Sequence, residues 1–419
     1  MRTFWVVGHR CIGLSLAVFL FIAGSTGAAI AWDHEFDAWL YPELYLAEGS
    51  PGTGAARSLE LARELEASDP RLRVQYLPLS VEPGRTLLVS VEPRIDPSTL
   101  EPFPLGFSQV ALHPETGEVR ARRLWGELSL RRESLMPFLY KLHYSLHLPW
   151  GFGRDLGMLL MGLVAVAWLL DTGVALWISF PSRRTWRRAF AFRWRNPGPR
   201  LTFDLHRSGG VWAAPLIIAM ALTAVAMNLE DELVRPIVGA LSPLREDPFA
   251  DASRVQADGA VSTRGAIVAS ALSRAKRLGI AAPVGGVFYS AAHDVYGVGF
   301  FDPGQEHGDG GLGNPWLYYQ GQTARPAGEQ LPGVGSFGDL YLQAQLPVHS
   351  GRVLGVIGRA VVSGLGLWIA MLGVTGVLIW ARRRRARLLR RRAPAVPSRS
   401  PRCSRASPRG CWTAASTQD

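Results

Sequence analysis

Nine histidines carry most of the chemistry open to this chain: His9, His34, His113, His143, His147, His206, His293, His307 and His349. His9, His143, His206 and His349 each stand at the start of a long apolar run. If all four runs cross a membrane, they alternate in direction. His9 and His206 then fall at one membrane face, and His143, His147 and His349 at the other. Imidazole is a strong ligand for haem iron, and two imidazoles on one iron give a six-coordinate centre suited to electron transfer. His9 with His206, and His143 or His147 with His349, would hold two such haems as an electron path across the membrane. His143 and His147 are four residues apart, so on a helix they share a face and cannot readily sandwich one haem. Plain interfacial polarity is the competing account of a boundary histidine. Zinc would want ligands converging on one point, and no cysteine is placed to help. The other histidines lie in soluble stretches and read as surface residues.

Three further groups accompany the histidines. Asp171 lies deep in an apolar run, where a carboxyl is costly and serves protons, a helix neighbour or a ligand. Arg207 adjoins His206 and could meet a haem propionate or a lipid phosphate. Arg154 and Asp155, at the mouth of the second run, read as a local ion pair.

The apolar runs are Cys11–Trp32, Leu156–Phe180, Val211–Leu229 and Val353–Trp380, each about the length that spans a bilayer. The small residues of TGAAIA would also suit signal cleavage; the run is longer than a usual signal core, so an uncleaved helix is expected. The chain of 419 residues carries a formal charge of +11, with arginine crowded into 183–200 and 382–392 beside apolar runs. By the positive-inside rule those blocks are cytoplasmic, which excludes nucleic acid as the natural partner and makes lipid headgroups the expected one. Both termini are then cytoplasmic. The divisions are 1–10 cytoplasmic, 11–32 first span, 33–142 first soluble domain, 143–180 entrance and second span, and 181–206 basic loop. There follow 207–229 third span, 230–349 second soluble domain, 350–380 fourth span and 381–419 a basic, disordered tail.

Both soluble stretches have α+β character. Helical spacing covers Ser58–Ala67, with strands at Arg71–Leu77, Thr86–Val91 and Phe107–Leu112; the second stretch has a helix at Ser262–Leu278 and strands at Gly285–Tyr289, Val295–Phe301 and Trp316–Gln320. The repeated order predicts an internal duplication. The three cysteines, Cys11, Cys403 and Cys411, make no metal pair and no disulfide framework. Glycines at 355, 358, 364, 366, 373 and 376 would let a helix or a flat cofactor approach the fourth span closely.

Four segments together resemble the PepSY-associated transmembrane family, in its iron-regulated, ferric-siderophore-reductase branch. They are GHRCIGLSLAVFLFIAGSTGAAIAWDHEFDAWLYPEL, KLHYSLHLP with GMLLMGLVAVAWLLDTGVAL, RLTFDLHRSGGVWAAPLIIAMALTAVAMNL and LPVHSGRVLGVIGRAVVSGLGLWIAMLGVTGVLIWARRR, in that order from about residue 8 to 387. Cys11 stands where the motif often has an aromatic. The resemblance implies an α-helical integral membrane protein with four transmembrane helices and two small α+β, PepSY-like periplasmic domains. It implies the bacterial inner membrane and reductive release of iron from a ferric siderophore by two bis-histidine haem b groups. His9, His143, His206 and His349 match the motif histidines, with His147 in reserve. No GxGxxG follows a strand and opens a helix, so no NAD(P)H or FAD domain is expected; electrons would come from quinol or a separate reductase. A non-enzymatic PepSY module, inhibitory or sensory, is the alternative from another class. A transporter fits less well, because few polar residues line the spans.

Overall fold

The computed structural model describes residues 2–195, 198–249 and 262–392. The tail with Cys403 and Cys411, expected to be disordered, lies outside the described residues, as does the 250–258 end of the acidic stretch.

The first half runs α1 (Arg2–Ile30), α2 (Asp33–Leu40), α3 (Pro42–Tyr45), α4 (Ala55–Ser68), then β1 (Leu72–Pro78), β2 (Leu87–Pro93), β3 (Gln109–Leu112) and β4 (Val119–Arg123). It closes with α5 (Leu135–Ser145), a two-residue-strand hairpin β5–β6 (Trp150–Gly151, Arg154–Asp155) and α6 (Leu156–Ser179). The second half repeats the plan. It runs α7 (Pro199–Asn228), α8 (Arg235–Leu241), α9 (Arg264–Leu278), β7 (Val284–Ser290), β8 (Val295–Phe300), β9 (Trp316–Gln320) and β10 (Pro326–Gln330), then α10 (Phe337–Ser350) and α11 (Gly355–Arg392). Among the described residues, four helices are long and apolar enough to cross a membrane: α1, α6, α7 and the one containing α11.

The two soluble stretches share one antiparallel sheet of eight strands, ordered β10-β9-β8-β7-β1-β2-β3-β4. The seam is β1 against β7, with Tyr76 opposite Phe288 and Leu77 opposite Val287. Each half thus uses its first strand to cover the edge of the other, removing the exposed edge that an isolated four-stranded sheet would carry there. α4 and α9 cover one face, and a single core joins Leu61, Leu65, Leu77 and Val89 to Ile267, Val287 and Val298. The outer strands were not expected from sequence. β4 reads VRARR and β10 PAGEQ, polar edge strands without the alternation that marks a half-buried one. β4 is held instead by Arg123, which is 5% exposed and donates to Asp37 Oδ1 at 2.8 Å.

The helix boundaries differ from the apolar runs. α1 begins at Arg2 and α7 at Pro199, because a helix carries on through polar residues until its capping and dihedral preferences change; hydropathy marks only the part facing lipid. His9 and His206 therefore lie inside helices, not ahead of them. α7 also keeps Pro215 in its interior. Past Ile379 the chain forms a separate unit, in which the arginine-rich end of α11 places the Arg384 guanidinium over the Trp380 ring.

Candidate functional site

Two pairs of imidazoles face each other. The ring centres of His9 and His206 are 6.1 Å apart, and those of His143 and His349 are 6.2 Å apart. The pairs lie toward opposite ends of α1, since His9 stands near its start and His143 bonds to Ala23 and Thr26 near its end. At 1.5 Å rise per residue, His9 and Thr26 are separated by roughly 25 Å along the helix, close to the thickness of a hydrocarbon layer.

Every one of the four rings is held through Nδ1. His143 Nδ1 lies 3.0 Å from the Ala23 carbonyl and 3.1 Å from Thr26 Oγ1. His206 Nδ1 lies 3.0 Å from the Leu372 carbonyl and 3.3 Å from Thr375 Oγ1. A carbonyl only accepts, so both nitrogens carry the proton. His349 Nδ1 lies 2.9 Å from Thr223 Oγ1, whose own hydroxyl hydrogen points back to the Ala219 and Met220 carbonyls at 3.0 Å; here too the imidazole donates. His9 Nδ1 lies 3.0 Å from both oxygens of Asp171. Each ring is thereby set in the tautomer whose Nε2 has a lone pair, and Nε2 of all four makes no hydrogen bond among the described residues. Metal-bound histidines share this pattern: the second nitrogen donates to a carbonyl or carboxylate, which fixes the ring and raises its basicity.

The spacing fits a metal between the rings. Two metal–nitrogen bonds of about 2 Å, each with roughly 1 Å more from nitrogen to ring centre, put ring centres about 6 Å apart. The His143–His349 pair also lines a cavity of about 640 Å³ with Gly27, Met158, Trp168, Met220 and Gly366, within the usual range for a cofactor pocket. An apolar cavity with two opposed imidazoles suits a flat macrocycle held by its iron. The donor set therefore fits bis-histidine haem.

A short motif builds two of these seats. Gly24-Ser25-Thr26-Gly27 on α1 and Gly373-Val374-Thr375-Gly376 on α11 both read G-x-T-G. The threonine and the carbonyl three residues before it accept from the histidine, and the second glycine makes room for its ring. A Cβ on Gly27 would stand 2.9 Å from His143 Cε1, and one on Gly376 3.0 Å from His206 Cε1. In the sequence the glycines of the fourth span stand out, but the matching step on α1 and both threonines do not. Gly24 and Gly366 also let α1 and α11 touch, since a Cβ on either would run into the other's carbonyl.

His147 does not share a helix face with His143. α5 ends at Ser145, and Leu146 and His147 take left-handed dihedrals, φ 52° and 56°. His147 Nε2 donates to the Phe138 carbonyl at 2.9 Å and its ring stacks on Phe138. It closes the turn, and its role as a reserve ligand is not supported by its position. Arg207 reaches neither histidine pair: it donates to the Arg188 carbonyl, lies over Phe203 and flanks Asp204, which Arg193 grips with two hydrogen bonds of 2.6 Å. It ties the basic loop to α7. Arg154 pairs with Glu232 at 2.9 Å, not with Asp155, whose carboxyl caps α6 by accepting from Gly157 and Met158.

His34 and His307 are exposed, as the sequence reading expects, and His307 also borders the cavity of the His143–His349 pair. His34 Nε2 lies 3.1 Å from His307 Nδ1, and His307 with Asn314, in the glycine-rich stretch 303–315, walls the cavity. Arg352 pins that stretch, donating to Asp309 at 2.9 Å and Asp33 at 3.2 Å while its carbonyl accepts from Gly310. Burial, then the nearby His34 and Arg352, hold His307 below its ordinary range, with Asp309 acting in the opposite direction.

Four apolar helices, a shared sheet and two histidine pairs define a multi-span membrane protein with paired-imidazole centres. A family model described as PepSY-associated TM region matches residues 6–383, and the chain belongs to that family. No curated protein matches it.

Proposed function

We propose that the chain is a di-haem inner-membrane reductase that passes electrons outward to the iron of a ferric siderophore. The carrying observation is that four imidazoles stand in two pairs at metal-bridging spacing, each fixed by Nδ1 with Nε2 free. When bound, haem b would supply a one-electron carrier at each pair. His9 and His206 would hold one group, His143 and His349 the other, and the bundle between them excludes water. By the positive-inside rule, the arginine-rich loop and the arginine-rich end of the last helix support a cytoplasmic His9–His206 face and a periplasmic sheet. Quinol or a separate reductase is the donor, since no nucleotide-binding fingerprint stands in the sequence. Each electron delivered converts one Fe(III) in the chelate to Fe(II), which its oxygen-rich ligands hold less tightly.

The test is the spectrum and haem content of the purified full chain from haem-replete cells. The expected result is two b-type haems per chain, reduced by dithionite and reoxidised by a ferric hydroxamate or catecholate. A colourless, haem-free protein would end this reading and leave the sheet as an interaction module.

A further inference from the structure

Span 2 carries the same Thr-Gly step as span 4: Thr172-Gly173 in α6 against Thr375-Gly376 in α11. Yet the two are used differently. His206 takes the carbonyl and threonine of its step, whereas His9 bonds to the preceding residue, Asp171, and Thr172 turns back to the Trp168 carbonyl. Asp171 is 6% exposed. A Cβ on Gly13 would stand 3.6 Å from Asp171 Oδ2, and among the described residues that carboxyl hydrogen-bonds only to His9. Three of the four imidazoles thus have neutral acceptors on Nδ1, and one has a carboxylate.

We infer that Asp171 is a positioning residue that makes the His9–His206 centre the lower-potential of the two, so that electrons run downhill from that centre toward the His143–His349 centre. The inference rests on the di-haem reading. A carboxylate accepting from Nδ1–H pushes electron density through the ring to Nε2 and strengthens it as a donor. A buried negative charge, little screened in a low dielectric, favours the ferric state over the ferrous state, which carries one positive charge fewer. Both effects lower the potential of that centre and leave the other, a helix-length away, nearly untouched. The electron balance is one in and one out: the inner centre is oxidised as the outer is reduced.

The experiment is a spectroelectrochemical titration of the full haem-loaded chain, wild type against Asp171→Asn. Asparagine keeps the size and can accept from Nδ1–H, but carries no charge. The expected result is two one-electron components in the wild type, of which only the lower moves, upward, in the variant. A shift of about tenfold in the reduced-to-oxidised ratio corresponds to 59 mV for one electron. If Asp171→Asn loses the inner haem, Thr375→Asp decides: a carboxyl placed against His206 should lower the same component further. Overturning results are two intact haems with unmoved midpoints in Asp171→Asn, a downward shift, equal shifts of both components, or an unmoved midpoint in Thr375→Asp. Absence of haem from the wild type fails the functional reading instead, so the two failures are distinct.

Discussion

Between the first half of the chain and the second, the histidine supports correspond closely but part at two places: His349 takes only the Thr223 hydroxyl where His143 takes a carbonyl as well, and the larger difference is at His9. His9 precedes Thr26 on α1 by the same number of residues as His206 precedes Thr223 on α7, and the two threonines receive His143 and His349. The α5–α6 and α10–α11 turns each follow a ligand-bearing helix with a left-handed residue, Leu146 in one and Gly351 in the other. Glycine enters that conformation without steric cost; leucine does not, and the first half offsets the strain with the His147–Phe138 contact. The larger departure is at His9, where Asp171 replaces a carbonyl and a hydroxyl. The two histidine pairs thus keep nearly the same ring-to-ring distance, 6.1 and 6.2 Å, while only one of them has a carboxyl group on a ring nitrogen.

The comparison breaks most directly if the pairs are not ligand pairs. His206→Ala and His349→Ala should each leave about half the wild-type haem and abolish reduction of an external ferric chelate, because a one-sided centre no longer bridges the bundle. His147→Ala should retain both haems. Full haem in His206→Ala, or half in His147→Ala, would reverse the assignment, as read by pyridine haemochrome against protein.

The glycine seats sharpen it further. Gly27→Val and Gly376→Val put methyl groups against His143 and His206, and loss of support around a metal ligand typically weakens binding by about 10–100-fold. Gly173 has nothing within 4 Å of its Cβ position, so Gly173→Val should leave haem retention intact. Equal loss in all three would mean that the effect is general damage to helix packing. A smaller effect belongs to the seam. Leu77 is fully buried on β1, and Leu77→Ala should cost about 2–5 kcal/mol. Because one core serves both halves, hydrogen exchange should quicken in β7 and β8 as well as in β1 and β2; a change confined to the first half would show two independent domains.

Much of the spans and of the histidine pairing was legible because apolar helices and the histidines near their ends leave strong marks in composition. The central strands were legible for the same reason, since β1, β2, β7 and β8 bury alternate or continuous apolar residues. β4 and β10 were not, because edge strands hold their place by backbone pairing and an ion pair rather than by apolar burial. The shared sheet was not legible either: pairing of Leu77 with Val287 joins residues too distant for any local pattern to register. Nor was the role of Asp171, whose partner His9 lies on another helix. His143 and His147 misled because spacing implies a common face only while the helix continues, and this one stops at Ser145.

The mildest expected effect concerns the stretch over the outer cavity, which the first half lacks in this form. The His34–His307 hydrogen bond needs one ring to donate and the other to accept, so it fails when both are protonated. His307 is held below its ordinary value of 6.5 by burial first, then by repulsion from the His34 ring and the Arg352 guanidinium beside it. The closed arrangement therefore favours neutral His307; its contribution is present above the unfolded value and is lost as pH falls. Acidification from about pH 7.5 to about pH 5 should loosen 303–315. The Gly310 amide, which donates to the Arg352 carbonyl at 2.7 Å, reports this by faster hydrogen exchange after correction for the intrinsic pH dependence. The β2–β3 connection, 94–108, contains no histidine and should keep its protection. His307→Ala should remove the pH dependence at Gly310 while leaving 94–108 unchanged. Equal acid sensitivity in the two connections, or in the variant, would place the trigger outside His307.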